Sequence, residues 1–374
     1  YYVVAATRDA LKKRNYFTDE NPAPNMAEWL DIVALGTVAD VVKLDENNRW
    51  LVRNGLIRIK NNITRPGIRA LFSVAKKRIE QATSQDFGFA LGPRINAAGR
   101  LKDMTIGIRC LIADNDEEAL QYAHMLDDLN KERKDIGKSM EDIAWDVIDV
   151  ESQNGKMTRV VHGDTFHEGV IGIVAGRIKE ITNCPTIVFA NAEEEGYIKG
   201  SGRSVPGLHL RDALDLVYKQ HPEIFKGFGG HAMAAGLTIK ASRLADFKAG
   251  FEKAVAFLMN DTPFEKILDV DAYLPTSYIN VETTIDIQNE VWGQGFMDPT
   301  WIGTFKVIET KLLGQDQNHL KMLLEKDGKQ FDAIQFFNDK APEIGEVIDV
   351  VYKLGINDFR GINVQLLVVC KEEN

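Results

Sequence analysis

Residues 158–190 read TRVVHGDTFHEGVIGIVAGRIKEITNCPTIVFA. Two strand-like apolar runs, TRVVHG and PTIVFA, enclose the helical segment GVIGIVAGRIKEI. Further on come YIKGSGRS, LHLRDALDLVYKQ and GLTIK, then a helix over 242–259. Strands alternating with helices predict an α/β domain.

Upstream of this block, from Asp116 to about Val150, no proline occurs and only Gly137 interrupts. Leu129, Ile136, Met140, Ile143, Val147 and Val150 alternate in steps of three and four around Arg133. That length predicts a spacer helix joining two domains, although its first half reads equally well as a core helix with one charged face. In APNMAEWLDIVALGTVADVVKL, Asn25 and Glu28 have capping-box spacing. Met26, Trp29, Leu30, Val33 and Ala34 then mark a buried helix ending near Asp40. A second helix follows around 49–60, and Pro66 stands where a third begins. The opening YYVVAATRDALKKRNYF has no initiator Met and reads as a helix already under way, so the expectation is that an upstream part is missing.

Downstream of about 264, strands are expected at 304–313, 318–325, 329–337, 346–354 and 362–370. Five strands with Gly- and Asp-containing turns suggest a small barrel of the oligonucleotide/oligosaccharide-binding (OB) kind. The expected class is therefore α/β, with a mainly helical part over 1–115 and a connecting helix over 116–154. An α/β domain over 155–262 and a β-barrel over 263–374 complete it.

The chain has 374 residues, 44% apolar and 27% charged, enough for two or three domains with their own cores. No apolar run approaches the roughly 18–20 residues that span a bilayer, and no signal peptide is visible. Cys110, Cys184 and Cys370 are too few and too far apart for a disulfide framework or a zinc site, and they fit a reducing cytoplasm. The net charge of −10 is unevenly spread: −2 over 1–154, +2 over 155–250 and −10 over 251–374. A nucleic-acid surface is therefore sought first in the α/β segment.

Three loops there carry glycine with His or Arg. His167 precedes a helix whose first turn is rich in glycine and valine; it either joins the free N–H groups in holding an anion or simply caps the helix. In KGSGRSVPGLHLRDAL, Ser201, Arg203 and Ser204 are read as a turn between strand and helix that offers hydroxyls and a guanidinium fork to a phosphate. KGFGGHAMAAG, at 226–236, adds Gly229, Gly230 and His231 as either a compact turn or a phosphate cradle. Upstream, GPRINAAGRL presents Arg94, Asn96 and Arg100. Asp40 follows ALGTVA among small and apolar residues, where a carboxylate needs a metal, a cation or backbone donors.

Taken in order, ALGTVADVVKL, GFALGPRINAAGRL, HEGVIGIVAGRI, KGSGRS and GFGGHAMAAGL resemble the RecJ single-stranded-DNA exonucleases of the DHH phosphoesterase superfamily. The resemblance covers about residues 25–374. It implies the remainder of a DHH catalytic domain, a DHH-associated domain and an OB barrel, acting in DNA repair and recombination. It further implies 5′-to-3′ hydrolysis with Mn²⁺ or Mg²⁺, with Asp40 as a metal ligand and His231 at the phosphate. The family's Asp-x-Asp and Asp-His-His motifs are not found in these residues, so the expectation is a portion inactive by itself. The implied partners are single-stranded DNA and a single-strand-binding protein or helicase, with no membrane and a monomeric state. A binding module without catalysis, or a phosphodiesterase for short oligonucleotides or cyclic dinucleotides, are the alternatives.

Overall fold

The computed structural model describes residues 1–152, 155–314, 317–357 and 361–371. Helices come first: α1 (Tyr2–Lys13), α2 (Leu30–Ala39), α3 (Glu46–Lys60), α4 (Pro66–Val74) and the short α5 (Ser84–Asp86). A π-turn at Phe87–Leu91 leads into α6 (Gly92–Leu101), followed by α7 (Thr105–Ile112) and α8 (Asp116–Ser152). Local chemistry sets the starts. Asp45 accepts from the Asn48 N–H at 2.8 Å ahead of α3, and Pro66 occupies the first turn of α4. Asn115 accepts from the Glu118 N–H at 2.9 Å ahead of α8. Asp116, Glu117 and Glu118 then set negative charge against the positive end of its dipole.

The capping expectation at Asn25 needs correcting. Its side chain accepts from the Ala27 N–H and caps a 3₁₀ turn, Met26–Trp29, so α2 starts only at Leu30 and Trp29 is left 40% exposed. Asp31 is fully buried instead. It is held by the Thr64 hydroxyl at 2.7 Å, the Arg65 N–H at 3.0 Å and the Arg65 guanidinium at 3.3 Å, the compensation a buried carboxylate requires. Spacer helix α8 is 37 residues long; Met140, Ala144 and Ile148 are buried, and the side chains of Val147 and Val150 lie outside the described ones.

The α/β part contains β1 (Arg159–His162), α9 (Ile171–Thr182), β2 (Thr186–Asn191), β3 (Tyr197–Arg203), α10 (Leu210–Gln220), β4 (Phe225–Gly230), β5 (Ala234–Lys240) and α11 (Leu244–Leu258). The strand order is β1-β2-β3-β5-β4, with β1 and β2 parallel and the rest antiparallel. Parallel β2 is buried on both faces from Thr186 to Ala190, as its apolar run requires. One face packs Ile187, Phe189, Ile198, Leu237 and Ile239 with α10 and α11 residues such as Leu214, Phe247 and Phe251. The other packs Val161, Val188 and Ala190 with α9 and with Met140, Ala144 and Ile148 of α8.

The last part holds β6 (Ala272–Tyr273), α12 (Val281–Asn289), β7 (Trp301–Leu313), β8 (His319–Lys326), β9 (Lys329–Phe336), β10 (Val347–Asn357) and β11 (Asn363–Lys371). The β10–β7 pairing closes the five long strands into a barrel. Phe305, Phe331 and Tyr352 fill its core with Val307, Leu324 and Val350, while Phe336 and Phe337 are exposed. Phe359 and Arg360 lie outside the described residues. The chain forms two compact units: Tyr1–Pro93 with Leu111–Leu120 and Leu268–Asn374, and Arg94–Cys110 with Gln121–Ile267.

Candidate nucleic-acid interface

In the second unit the turn before α9 is built by His167. Its carbonyl accepts from the N–H groups of Val170 and Ile171 at 3.0 and 3.2 Å, and its ring Nδ1 accepts from the Gly169 N–H at 3.1 Å. In the neutral ring that bond leaves the proton on Nε2, free to donate outward. Capping and outward donation are therefore compatible.

Ser201 and Arg203 lie within strand β3, not in a turn as expected from KGSGRS. The pleat sends Ile198, Gly200 and Gly202 to the buried side, leaving Lys199, Ser201 and Arg203 on the opposite face. The Arg203 guanidinium donates to the Ser201 hydroxyl oxygen at 3.1 Å and to the Gly202 carbonyl at 2.8 Å. Gly172, in the first turn of α9, makes room for it. A Cβ there would stand 2.8 Å from Arg203 Nη2 and 2.9 Å from Ser201 Oγ, so any larger residue would displace the guanidinium and the hydroxyl from these positions.

The stretch KGFGGHAMAAG is likewise mostly strand, forming the end of β4, a short connection and the start of β5. Register puts Ser201 opposite Gly236, and Gly236 opposite Gly229. Together with Gly227, these form a floor of bare backbone on the Arg203 face; Gly227, Gly229 and Gly236 are exposed, and a Cβ on any of them would meet nothing within 4 Å. Gly230 has a different role. At φ 148° a Cβ would lie 2.4 Å from the Ala234 carbonyl oxygen. That conformation starts the turn placing exposed His231, whose N–H bonds Ala234 at 2.9 Å, at the end of the sheet where Ala234 pairs with Arg203.

The charge on this face is only partly compensated, since Lys199 pairs with Glu168 at 3.0 Å. Arg203 is partly buried and makes no ion pair with a described residue. Burial first, and then repulsion from Arg100, holds its pKa below the usual arginine value. Arg100, on α6, donates to the Gly169 carbonyl at 3.3 Å, and it too has no acidic partner among the described residues. Such a set favours an anion with several oxygens. The first unit has a larger cleft, about 850 Å³, which includes Lys77, Asp86, Phe89, Trp292, Asp298 and Lys353 in its lining. There Lys77 pairs with Asp86 and Lys353 with Asp298. Lys60 and Arg78 also line it without an ion pair to a described residue, so what sets the sheet face apart is its cations beside a floor of bare glycine backbone.

The comparisons with known proteins agree with this division. Residues 154–256 match the DHHA1 domain family and residues 270–369 the RecJ OB domain family. The single-stranded-DNA-specific exonuclease RecJ of Haemophilus influenzae is 42% identical, over 98% of this chain and 65% of that protein. The Escherichia coli protein of the same name is 40% identical, over 96% and 64%. The chain is a RecJ homologue. A crystal structure of RecJ from Thermus thermophilus in complex with Mg²⁺ aligns with a TM-score of 0.78 and 25% identity, covering 94% of this chain and 53% of that one. The Mn²⁺ complex from the same organism aligns at 0.76 and 26% identity, covering 94% and 50%. The chain thus spans about 65% of the length of the Haemophilus and Escherichia proteins and about half of the Thermus chains.

The RecJ-like motifs converge unevenly. His167, Ser201, Arg203 and Arg100 meet around the start of α9, and Gly229, Gly230 and His231 adjoin them through the sheet. Asn96 is exposed on α6. Arg94 donates to Asp127 at 2.9 Å, so much of its charge is matched within the fold. Ser204 leaves the set: it is 1% exposed, and its hydroxyl donates to the Leu208 carbonyl at 2.8 Å, closing the turn before α10. Gly172 is not singled out by the sequence, and the place of Gly236 opposite Ser201 is not legible there. Only strand register and the seat of α9 bring them to Ser201.

Asp40 also departs from expectation. It is exposed at the C-terminal end of α2, where Val41 at φ 56° turns the chain, so burial does not oblige it to have a partner. Among the described residues no three His, Cys, Asp or Glu side chains are grouped to hold a metal ion. One exposed carboxylate does not supply the several oxygen ligands Mn²⁺ or Mg²⁺ takes. These residues therefore do not by themselves fit the ions of the Thermus complexes.

Proposed function

We propose that this chain grips single-stranded DNA for a RecJ-type 5′-to-3′ exonuclease of DNA repair and recombination. The carrying observation is the acid-free pair of partly buried Arg203 and exposed Arg100, set with Ser201 and His167 at the edge of the glycine floor. Arg203 would offer its fork to one phosphate, and the Ser201 hydroxyl, accepting from Arg203, keeps its own proton to donate to the same group. His167 Nε2 and His231 would donate to neighbouring oxygens, while the bare backbone of Gly229 and Gly236 lets the strand lie close. Holding the strand in one register is the part of catalysis these residues can perform. Such work belongs in the bacterial cytoplasm, with a single-strand-binding protein or helicase delivering the strand to a monomer.

The test is fluorescence anisotropy with a labelled oligothymidine and the 374-residue chain. Arg203→Ala should weaken binding by about tenfold or more, the scale of a lost charge-assisted contact. Unchanged affinity would remove the proposed interface. The same chain should release no nucleotides from a 5′-phosphorylated strand in Mn²⁺, because its described residues assemble no metal centre. Metal-dependent release by the purified chain would refute that part.

A further inference from the structure

Helix α8 contributes a third arginine to this neighbourhood. Gly137 marks the approach: a Cβ there would lie in ordinary contact, 3.7 Å from Val170 Cγ1, so α8 packs beside the residue capping α9. Arg133 stands one turn earlier on α8. Its Nε is buried without an acceptor, and it makes no hydrogen bond or ion pair with a described residue. Arg49, Arg159 and Arg243, which also have an unpaired Nε, are compensated elsewhere, whereas Arg58 resembles Arg133 in having no side-chain hydrogen bond or ion pair with a described residue. Arg49 pairs with Glu290, Arg159 donates to the Lys156 and Thr158 carbonyls, and Arg243 pairs with Glu223.

Arg133 instead faces a like charge. Burial first, and then Arg100, pushes its pKa below the usual arginine value, and Arg100 acts in the same sense on Arg203. Arg100 is thus the common neighbour of two arginines that have no carboxylate partner. Its own backbone is fixed beside α9, since its carbonyl oxygen would lie 2.2 Å from a Cβ on Gly169. Three guanidiniums held together without an acid form an arrangement that folding alone disfavours.

We propose that Arg133, projecting from the connecting helix, is a direct phosphate contact that shares the bound strand with Arg100 and Arg203. This rests on the single-strand-binding reading above. The ligand chemistry is a nucleic-acid backbone phosphate, whose negative charge replaces the missing carboxylate. Arg133 contributes a donor aimed from the helix side, opposite the strand that carries Arg203.

The experiment uses the 374-residue chain with Arg133→Gln, Arg133→Met and Arg203→Ala, titrating a labelled oligothymidine by anisotropy over a range of salt concentrations and recording Tm for each. Loss of one phosphate contact should flatten the plot of log affinity against log salt by about 0.7 and weaken binding about tenfold. Tm should hold or rise in both Arg133 variants, because one of three repelling charges is gone. Arg133→Met retains most of the aliphatic stem and provides the same reading if the Gln variant folds poorly. An unchanged salt slope alongside weakened Arg203→Ala would overturn the role of Arg133 while leaving the interface intact. A fall in Tm with unchanged slope would make Arg133 structural. Unchanged binding in Arg203→Ala would overturn the interface and this contact together.

Discussion

The Tyr352 hydroxyl is buried in the barrel without a hydrogen-bond partner, and burial pushes its pKa up from 10.0 to about 12. A phenol that resists ionisation in the folded state costs stability once the unfolded chain can ionise. Stability should therefore be full below pH 10 and fall as pH rises towards 12, an alkaline loss that Tyr352→Phe should reduce. At neutral pH the same change removes an unsatisfied polar group and should stabilise by about 1 kcal/mol, read by urea denaturation. Arg203 and His231 belong to the same end of one sheet. Their alanine variants should lose DNA affinity non-additively, and a double-mutant cycle giving strict additivity would argue against one shared strand path.

At the scale of elements, the β3-β5-β4 half of the sheet divides its glycines between two jobs. Gly200 faces inward, where a Cβ would lie 2.5 Å from the Phe189 ring, whereas Gly229 and Gly236 face open space. Gly200→Val should therefore cost about 1–3 kcal/mol of stability through overpacking. Gly236→Val should fold normally, with Tm nearly unchanged, and yet lose DNA affinity because its side chain stands on the floor beside Ser201. Thermal melts and anisotropy on the two variants separate these roles, and a Gly236→Val chain that binds as tightly as the parent would show that the strand does not cross the floor.

Across the whole molecule, charge is segregated by domain. The stretch 251–374 carries −10, and some of the lysines of its barrel face acids: Lys321 pairs with Asp332, Lys353 with Asp298, and Lys306 stands opposite Glu325 in the β7–β8 register. Phe305, Phe331 and Tyr352 are committed to the core, and Phe336 and Phe337 are exposed aromatics on which a base could stack. Combined Lys306→Glu and Lys311→Glu changes in the full chain should alter single-strand affinity by less than about threefold at physiological salt. A loss comparable to that of Arg203→Ala would reveal a basic path along the barrel.

The sequence by itself determined the order of elements. Period-two and helical patterns are local properties of the chain, so five barrel strands, a long helix from Asp116 and the α/β alternation could be read from residue types. It also determined the chemistry on offer, because arginine, histidine and glycine in fixed order carry the RecJ resemblance. Partnership was beyond its reach. Whether Arg94 meets Asp127, whether Ser204 turns inward to Leu208 and whether Asp40 is exposed depend on residues distant in the chain or on the path the backbone takes. KGSGRS and KGFGGHAMAAG looked like loops because glycine disfavours strands locally. Only the sheet shows that their glycines make room for Phe189 on one face and leave an open floor on the other. The tertiary structure alone decided which cations remain unmatched, since neutralisation is a matter of distance in space and not of spacing in sequence.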